Sequence, residues 1–461
     1  MVQKGGWLTR LRRDAIAATV LACLLGVLHH HLPVIDILDK FAFLFAASNT
    51  MTSPAADAAT VVLGIDQKSF ERDFLEQSPL DRCVLADKLR KVYAARPALL
   101  VIDFDVSPSL AGMLGSGPGR LREQACETGL YDVITAAAAD TTRTILLAPF
   151  PVDTPAAQTA KAAWRTAMSA KGIQFGVGTL PIQFGFVQQQ YLQPDTLASL
   201  AHAAKTFPRT GAAAAGAGNH EAGTLGAAKD EPVEPRLQLL NFRAFGREVR
   251  SLSWDEWQAA ATALPLADKT VFLGSNYGID DRFVTPVDEL YGVNLHAAAF
   301  VSLDAAITAV PALLALAIDI AIGIVFGWLV GVFWDGYLRA VGNAATRSIA
   351  FLNLWLLVLL YVGLIGMLGW VAVQLIVHAN IWISPLPMAL GMALDAFILG
   401  AVHAAVHAAT QAATHPPSTA ASLSTHGSTA RTAVLVRAQD LARTALGAGI
   451  VLYALMLIRH H

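Results

Sequence analysis

Between residues 59 and 303, short apolar runs alternate with stretches whose apolar positions recur at helical spacing. Val61–Asp66, Leu99–Phe104, Thr144–Phe150, Ile173–Leu180, Arg236–Phe242 and Lys269–Ser275 read as strands. Leu80–Tyr93, Arg120–Ala138, Ala156–Ala170 and Trp254–Ala263 read as the helices between them. Strands that are apolar throughout are covered on both faces, so the expected class is α/β: a layered domain with a mainly parallel sheet. Gly278–Leu303 closes this region with a polar turn, a Thr285-Pro286 pair and a short helix. It runs almost directly into another kind of pattern.

That pattern is long and apolar. Ala15–Ile35 carries no charge and follows Lys4, Arg10, Arg12 and Arg13. It is long enough to cross a bilayer, and the basic flank places residues 1–14 in the cytoplasm. A cleaved signal peptide is the rival reading. The next small-residue site, near Ala46–Ser48, lies beyond Asp36, Asp39 and Lys40, which favours an uncleaved anchor. Val310–Trp334, Ser348–Val377 and Ile383–Ala405 read as three further spans within 310–405. Arg339 and Arg347 flank the second connection, while His378–Pro385 holds no charge. One topology fits: residues 36–304 outside the cytoplasm and the basic loops inside. Residues 406–443 read as a cytoplasmic low-complexity segment, and 211–235 as a Gly/Ala/Pro-rich loop in the external domain. Thr444–Ile458 leaves two readings, a fifth span or a segment lying in the interface.

Composition agrees. Of 461 residues, 54% are apolar and 15% charged, against roughly 25% charged in average globular chains. A net charge of −2 argues against nucleic-acid binding. Three cysteines exclude a disulfide scaffold. Cys23 sits in the first apolar run. Cys83 and Cys126 fall in the external region, where a bridge persists, but spacing does not decide whether their geometry allows one.

Several acids stand out. Asp66 and Asp103 end strands, where open parallel sheets form ligand crevices; the plainer alternative is that such acids cap the next helix. Asp281 precedes Thr285-Pro286, and its carboxylate is expected to accept backbone or Thr285 hydroxyl hydrogen bonds. Gly292 then allows close approach or positive φ, and His296 lies on the helix that follows. Within the second span Asp319, Gly323, Gly327, Gly331 and Asp335 recur every four residues, a stripe suited to helix contact. Asp319 and, in the fourth span, Asp395 are acids in apolar runs and are candidate functional residues. His403 and His407 have ligand spacing without a third ligand nearby, so no metal is expected.

Ordered blocks carry a resemblance. They are Gly64-Ile65-Asp66-Gln67-Lys68-Ser69, then Pro79 to Arg82, then Val101-Ile102-Asp103-Phe104. The closing blocks are Leu266 to Gly274, Asp281 to Pro286, and Gly292-Val293-Asn294-Leu295-His296-Ala297. With one span before and three after, the chain resembles the type-two CHASE family, extracellular sensory domains associated with cyclases and histidine kinases. The resemblance implies ligand recognition, with Asp66, Arg82, Asp103, Asp281 and His296 as candidate contacts. Two departures stand out. Residues 185–196 replace the family's usual Asp-x-Asp-Gly…Arg segment with a run through Gln188, Gln189 and Gln190. No kinase or cyclase pattern follows Ala405, so output is expected from a separate cytoplasmic effector. A short motif, Asp103-Phe104-Asp105-Val106-Ser107, is also similar to the nucleophile segment of haloacid-dehalogenase-type phosphatases, but it stands alone, and no enzyme activity or cofactor is expected. The expectation is a multi-pass protein of a bacterial inner membrane, in a homo-oligomer, with a periplasmic sensory domain; the alternative is a scaffold subunit of an envelope complex.

Overall fold

The computed structural model describes residues 33–50, 57–108, 118–140, 142–152, 154–183, 185–193, 197–207, 237–260, 265–341, 345, 347–385 and 389. In chain order the elements begin α1 (Pro33–Ser48), β1 (Thr60–Asp66), α2 (Gln67–Phe74), α3 (Arg82–Ala94), β2 (Leu99–Asp103), α4 (Pro118–Asp140), β3 (Arg143–Leu147) and α5 (Pro155–Ser169). Next come β4 (Gln174–Gly176), β5 (Gln189–Tyr191), α6 (Leu200–Thr206), β6 (Leu237–Leu239), α7 (Phe242–Glu248), β7 (Val249–Ser253) and α8 (Trp254–Ala260). The last are β8 (Thr270–Asn276), β9 (Arg282–Val284), β10 (Glu289–Tyr291), α9 (Gly292–Ser302), β11 (Thr308–Ala309), α10 (Ala312–Val341), α11 (Arg347–Ala379) and β12 (Ile381–Trp382). The chain forms two compact units. One is Phe43–Thr308 with Leu375–Trp382; the other comprises Met1–Ala42, Ala309–Gln374 and Ile383–His461.

The first unit is built on a six-stranded sheet of order β4-β3-β2-β8-β1-β7, parallel at every pairing. Its central strands are apolar throughout because helices cover both faces. Alternate residues separate cleanly. Val61, Leu63, Ile65, Leu100, Ile102, Val271 and Leu273 enter one core with Leu85 and Leu89 of α3, Leu130 of α4, Trp164 of α5 and Trp254 of α8. Val62, Leu99, Val101 and Phe272 enter the other with Leu200 of α6, Phe245 of α7, and Val293, Ala297 and Val301 of α9. A period of two thus decides which helices each strand residue meets.

Lys88 is buried in the first core and is held by Asp73 at 2.5 Å, with its ammonium 4.3 Å from the Trp254 ring centroid. Burial pushes the Lys88 pKa down against the pull of Asp73, whose carboxyl falls to about 2 through its bonds to Arg72 and Lys88. A disulfide joins Cys83, at the start of α3, to Cys126 in α4.

The strand expectations at Val61–Asp66, Leu99–Phe104 and Lys269–Ser275 match β1, β2 and β8 closely. The apolar pattern did not signal β7, an edge strand with exposed positions, nor the short helices α2, α6 and α7. Arg236–Phe242 yields a three-residue strand; Asn241 then caps α7, its side chain accepting from Ala244 N.

α11, which lies in the second unit as far as Gln374, contains Ser348–Ala379, 32 residues long and apolar enough to cross a membrane. In α10 the apolar helix Leu313–Leu329 falls short of that length, where a full second span was expected. Both expose large apolar side chains, among them Leu313, Trp328, Phe351, Trp355, Leu359 and Trp370. Phe326 packs with Leu368 and Ala389, and the Tyr361 hydroxyl donates to Ala389 O at 3.0 Å. Gly327 is buried and Gly323 half-buried in α10, and Oδ1 of Asp319 has no hydrogen-bond partner among the described residues. The burial of Gly331 and Asp335 in the stripe, and Asp395, residues 211–235, most of the first and fourth spans, residues 406–443 and Thr444–Ile458, lie outside what is described.

Candidate functional site

Odd-numbered residues of β2 face α9, so Asp103, ending that strand, faces α9 as well. His296, one turn into α9, meets it: Nε2 lies 3.7 Å from Asp103 Oδ1, with both side chains about nine-tenths buried. The separation is long for a hydrogen bond and within ion-pair reach when the imidazole is protonated. Asp281 joins from the β8–β9 turn. Its carboxylate accepts from the Ser275 hydroxyl, and its carbonyl accepts from Gly292 N at 3.1 Å. Burial raises the Asp103 pKa against the attraction of His296. It raises the Asp281 pKa too; the Ser275 bond opposes this and the nearby Asp103 charge adds to it. A third link holds α9: Asn294 Nδ2 donates to Asn276 Oδ1 at 3.1 Å, and the Ser251 hydroxyl donates to Asn294 Oδ1 at 2.6 Å.

Close approach depends on small residues. A Cβ on Gly292 would stand 2.6 Å from Asp281 Oδ1, and one on Gly274 would stand 2.6 Å from Val293 Cβ. At Gly178 a Cβ would meet Leu147 at 2.6 Å and face both His296 and Asp103. Gly292 therefore serves proximity; its φ is not among the positive ones.

Three of the five proposed contacts, Asp103, Asp281 and His296, thus converge from three chain segments. The other two do not. Asp66 caps α2, accepting from Ser69 N at 2.8 Å, so the plainer of its two readings describes it. Arg82 is buried on the opposite face of the sheet and donates to the carbonyls of Val106 and Ser107. Thr285 corrects another expectation. Its hydroxyl donates to Asp288 O at 2.6 Å and accepts from Asp288 N, closing its own turn instead of reaching Asp281. Asp105 accepts from Lys161 at 3.1 Å and Ser107 N at 2.9 Å, away from Asp103. Sequence reasoning missed Ser275, Asn276, Asn294 and the Gly178 wall. Ser275 and Asn276, polar residues ending an apolar strand, carried a readable signal; Gly178 carried none.

The Gln188–Gln190 run, where the family segment was absent, is structural support for α9: Gln190 Nε2 donates to Ala299 O at 3.1 Å. The exit of α9 is tied down too. Ser302 accepts from Asn241 N at 2.7 Å, and Asn241 Nδ2 donates to Ala305 O at 2.7 Å and Asn380 Oδ1 at 3.1 Å. Thr308 N donates to Asn380 O at 2.9 Å, while Arg243 donates to Val377 O. The end of α11 and the exit of α9 therefore share one polar clasp.

Among the described residues, the one set of three metal-type ligand atoms is Asp81, Cys83 and Cys126, and its sulfurs are consumed in the disulfide.

A family model described as CHASE2 domain matches residues 15–333. No curated protein and no solved structure matches the chain. The chain belongs to the CHASE2 domain family, a family of sensory domains.

Proposed function

We propose that this CHASE2 chain is a multi-pass inner-membrane sensor whose acid–histidine cluster reads a periplasmic stimulus and whose α9 helix carries the response toward the membrane. One observation supports it above the rest: His296 faces Asp103 from α9, the helix that ends six residues later, at Ser302, in the clasp around Asn241 and Asn380. A buried acid pair beside an imidazole answers to any added proton, amine or hydroxyl donor, because each changes a charge held in low dielectric. Binding that favours one position of α9 shifts the population of both chain segments in the clasp.

Topology supports the same reading. Thr308, entering α10, and Asn380, leaving α11, are hydrogen-bonded. In sequence, Arg339 closes α10 and Arg347 opens α11, where the basic flanks of a cytoplasmic loop are expected. The disulfide favours an oxidising compartment for the domain. The output passes to a separate cytoplasmic effector.

The test is co-purification from native membranes. Full-length wild type should retain a cytoplasmic partner, and Asp103→Asn or His296→Asn should change its recovery without lowering chain abundance. Equal recovery across all three refutes the reading. Recovery of envelope-complex subunits alone, indifferent to both substitutions, would assign a scaffold instead.

A further inference from the structure

On the face of the sheet away from His296, a cavity of ≈ 180 Å³ opens beyond the carboxyl ends of β2 and β8. At ~30 Å³ per water it has room for about six waters, or for one small organic molecule. Ligand crevices in open parallel sheets lie in this position. The walls used by a ligand would be Arg82, Leu80, Phe104, Asp105, Leu130 and Tyr277.

Two of these are charged, and they differ. Asp105 is neutralised by Lys161, and its oxygens also accept from Ser107 N and Phe150 N. Arg82 is 8% exposed and, among the described residues, donates only to neutral groups: Val106 O at 2.7 Å, Ser107 O at 2.5 Å and the Tyr131 hydroxyl at 3.3 Å. Glu127 reaches it only through that hydroxyl, 2.7 Å from the Glu127 carboxylate. With the Asp105–Lys161 pair cancelled, the lining keeps the charge of one buried guanidinium. A guanidinium held by dipoles alone keeps a strong attraction for a carboxylate, which it can grip through two parallel N–H bonds.

We propose that this cavity binds a small organic acid, its carboxylate on Arg82 and its apolar body between Leu80, Phe104 and Tyr277. The occupant would touch the cluster's neighbour. Tyr277 stacks on Phe70 at 3.9 Å, and the Asp281 charge is felt at its hydroxyl, which burial and that charge together raise in pKa. Displacing Tyr277 therefore changes the field at Asp281, where α9 begins. This step rests on the sensory reading for its purpose, whereas binding itself is measured without any signalling partner.

The experiment uses the full-length chain in detergent, with thermal unfolding followed in benzoate, in its neutral isostere benzamide, and in chloride of equal ionic strength. Benzoate near saturation should raise Tm by about 5 °C, and benzamide and chloride should not. Arg82→Gln should abolish the shift, but it also removes two carbonyl anchors. Leu80→Trp, which fills the cavity and leaves Arg82 in place, should keep a cooperative transition and lose the benzoate shift. Equal shifts with benzoate and benzamide, no shift with benzoate, or a full shift in Leu80→Trp would each overturn the proposal. A benzoate shift without any change in partner recovery would leave the ligand assignment standing and the signalling route refuted.

Discussion

Replacing Cys83 and Cys126 together by serine removes a covalent link between α3 and α4, spanning 43 positions of sequence. Closing a loop of that length lowers the entropy of the unfolded chain by roughly 13 cal/mol/K, or about 4 kcal/mol at 25 °C. The substitution costs little else. Cys126 is buried as a small apolar residue and Cys83 is exposed, so the serine hydroxyls lose mainly the packing at position 126. In a domain of this size about 4 kcal/mol corresponds to a fall in Tm of roughly 8–16 °C. Differential scanning of the full-length chain, as purified and after reduction, measures it. Wild type under reduction should approach the double variant, and either single variant should match the double. A maleimide that labels both cysteines quantitatively in protein taken directly from native membranes would refute the reasoning, including the oxidising compartment it implies. So would a double variant within about 2 °C of wild type, because the loop entropy admits no such small effect.

Asp103→Asn should raise Tm at neutral pH by a few degrees. The folded-state pKa of Asp103 lies above its ordinary value, so wild type loses stability as pH rises through it, and the advantage of the variant should vanish below about pH 4. Asp105 should behave oppositely: Ser107 and Lys161 hold its carboxyl low despite burial, so its contribution is present above about pH 4 and is lost in stronger acid. Unfolding scans across that range in Asp103→Asn and Asp105→Asn separate the two signs. Gly292→Ala forces a Cβ to 2.6 Å from Asp281 Oδ1 and should cost about 1–3 kcal/mol in denaturant titration; a neutral result would show that α9 does not press on Asp281. Asn241→Ala removes the cap of α7 and leaves the carbonyl of Ala305 without its donor, a loss of about 2–3 kcal/mol. Faster amide exchange at Thr308 should accompany it, and unchanged exchange would disprove the clasp.

The layered α/β class, its central strands and the closing block were legible in sequence, because each rests on local pattern. β1, β2 and β8 are buried on both faces and leave no polar alternation to confuse a reader. Asp66 as a helix cap was also within reach, since a cap bonds three residues ahead. The closing helix was visible too, with Gly292 and His296 on it. What tertiary structure decided was partnership. Asp103 and His296 meet across most of the domain only because β8 inserts between β1 and β2 and carries α9 onto one face of the sheet. The same insertion divides the candidates, sending Asp103 and Asp281 to the face of α9 and Arg82 to the other, where, among the described residues, it donates to carbonyls and a phenol. Periodicity along a chain reports which side of an element is apolar. It does not report which distant element will cover that side, because strand order is chosen by the packing of the whole sheet.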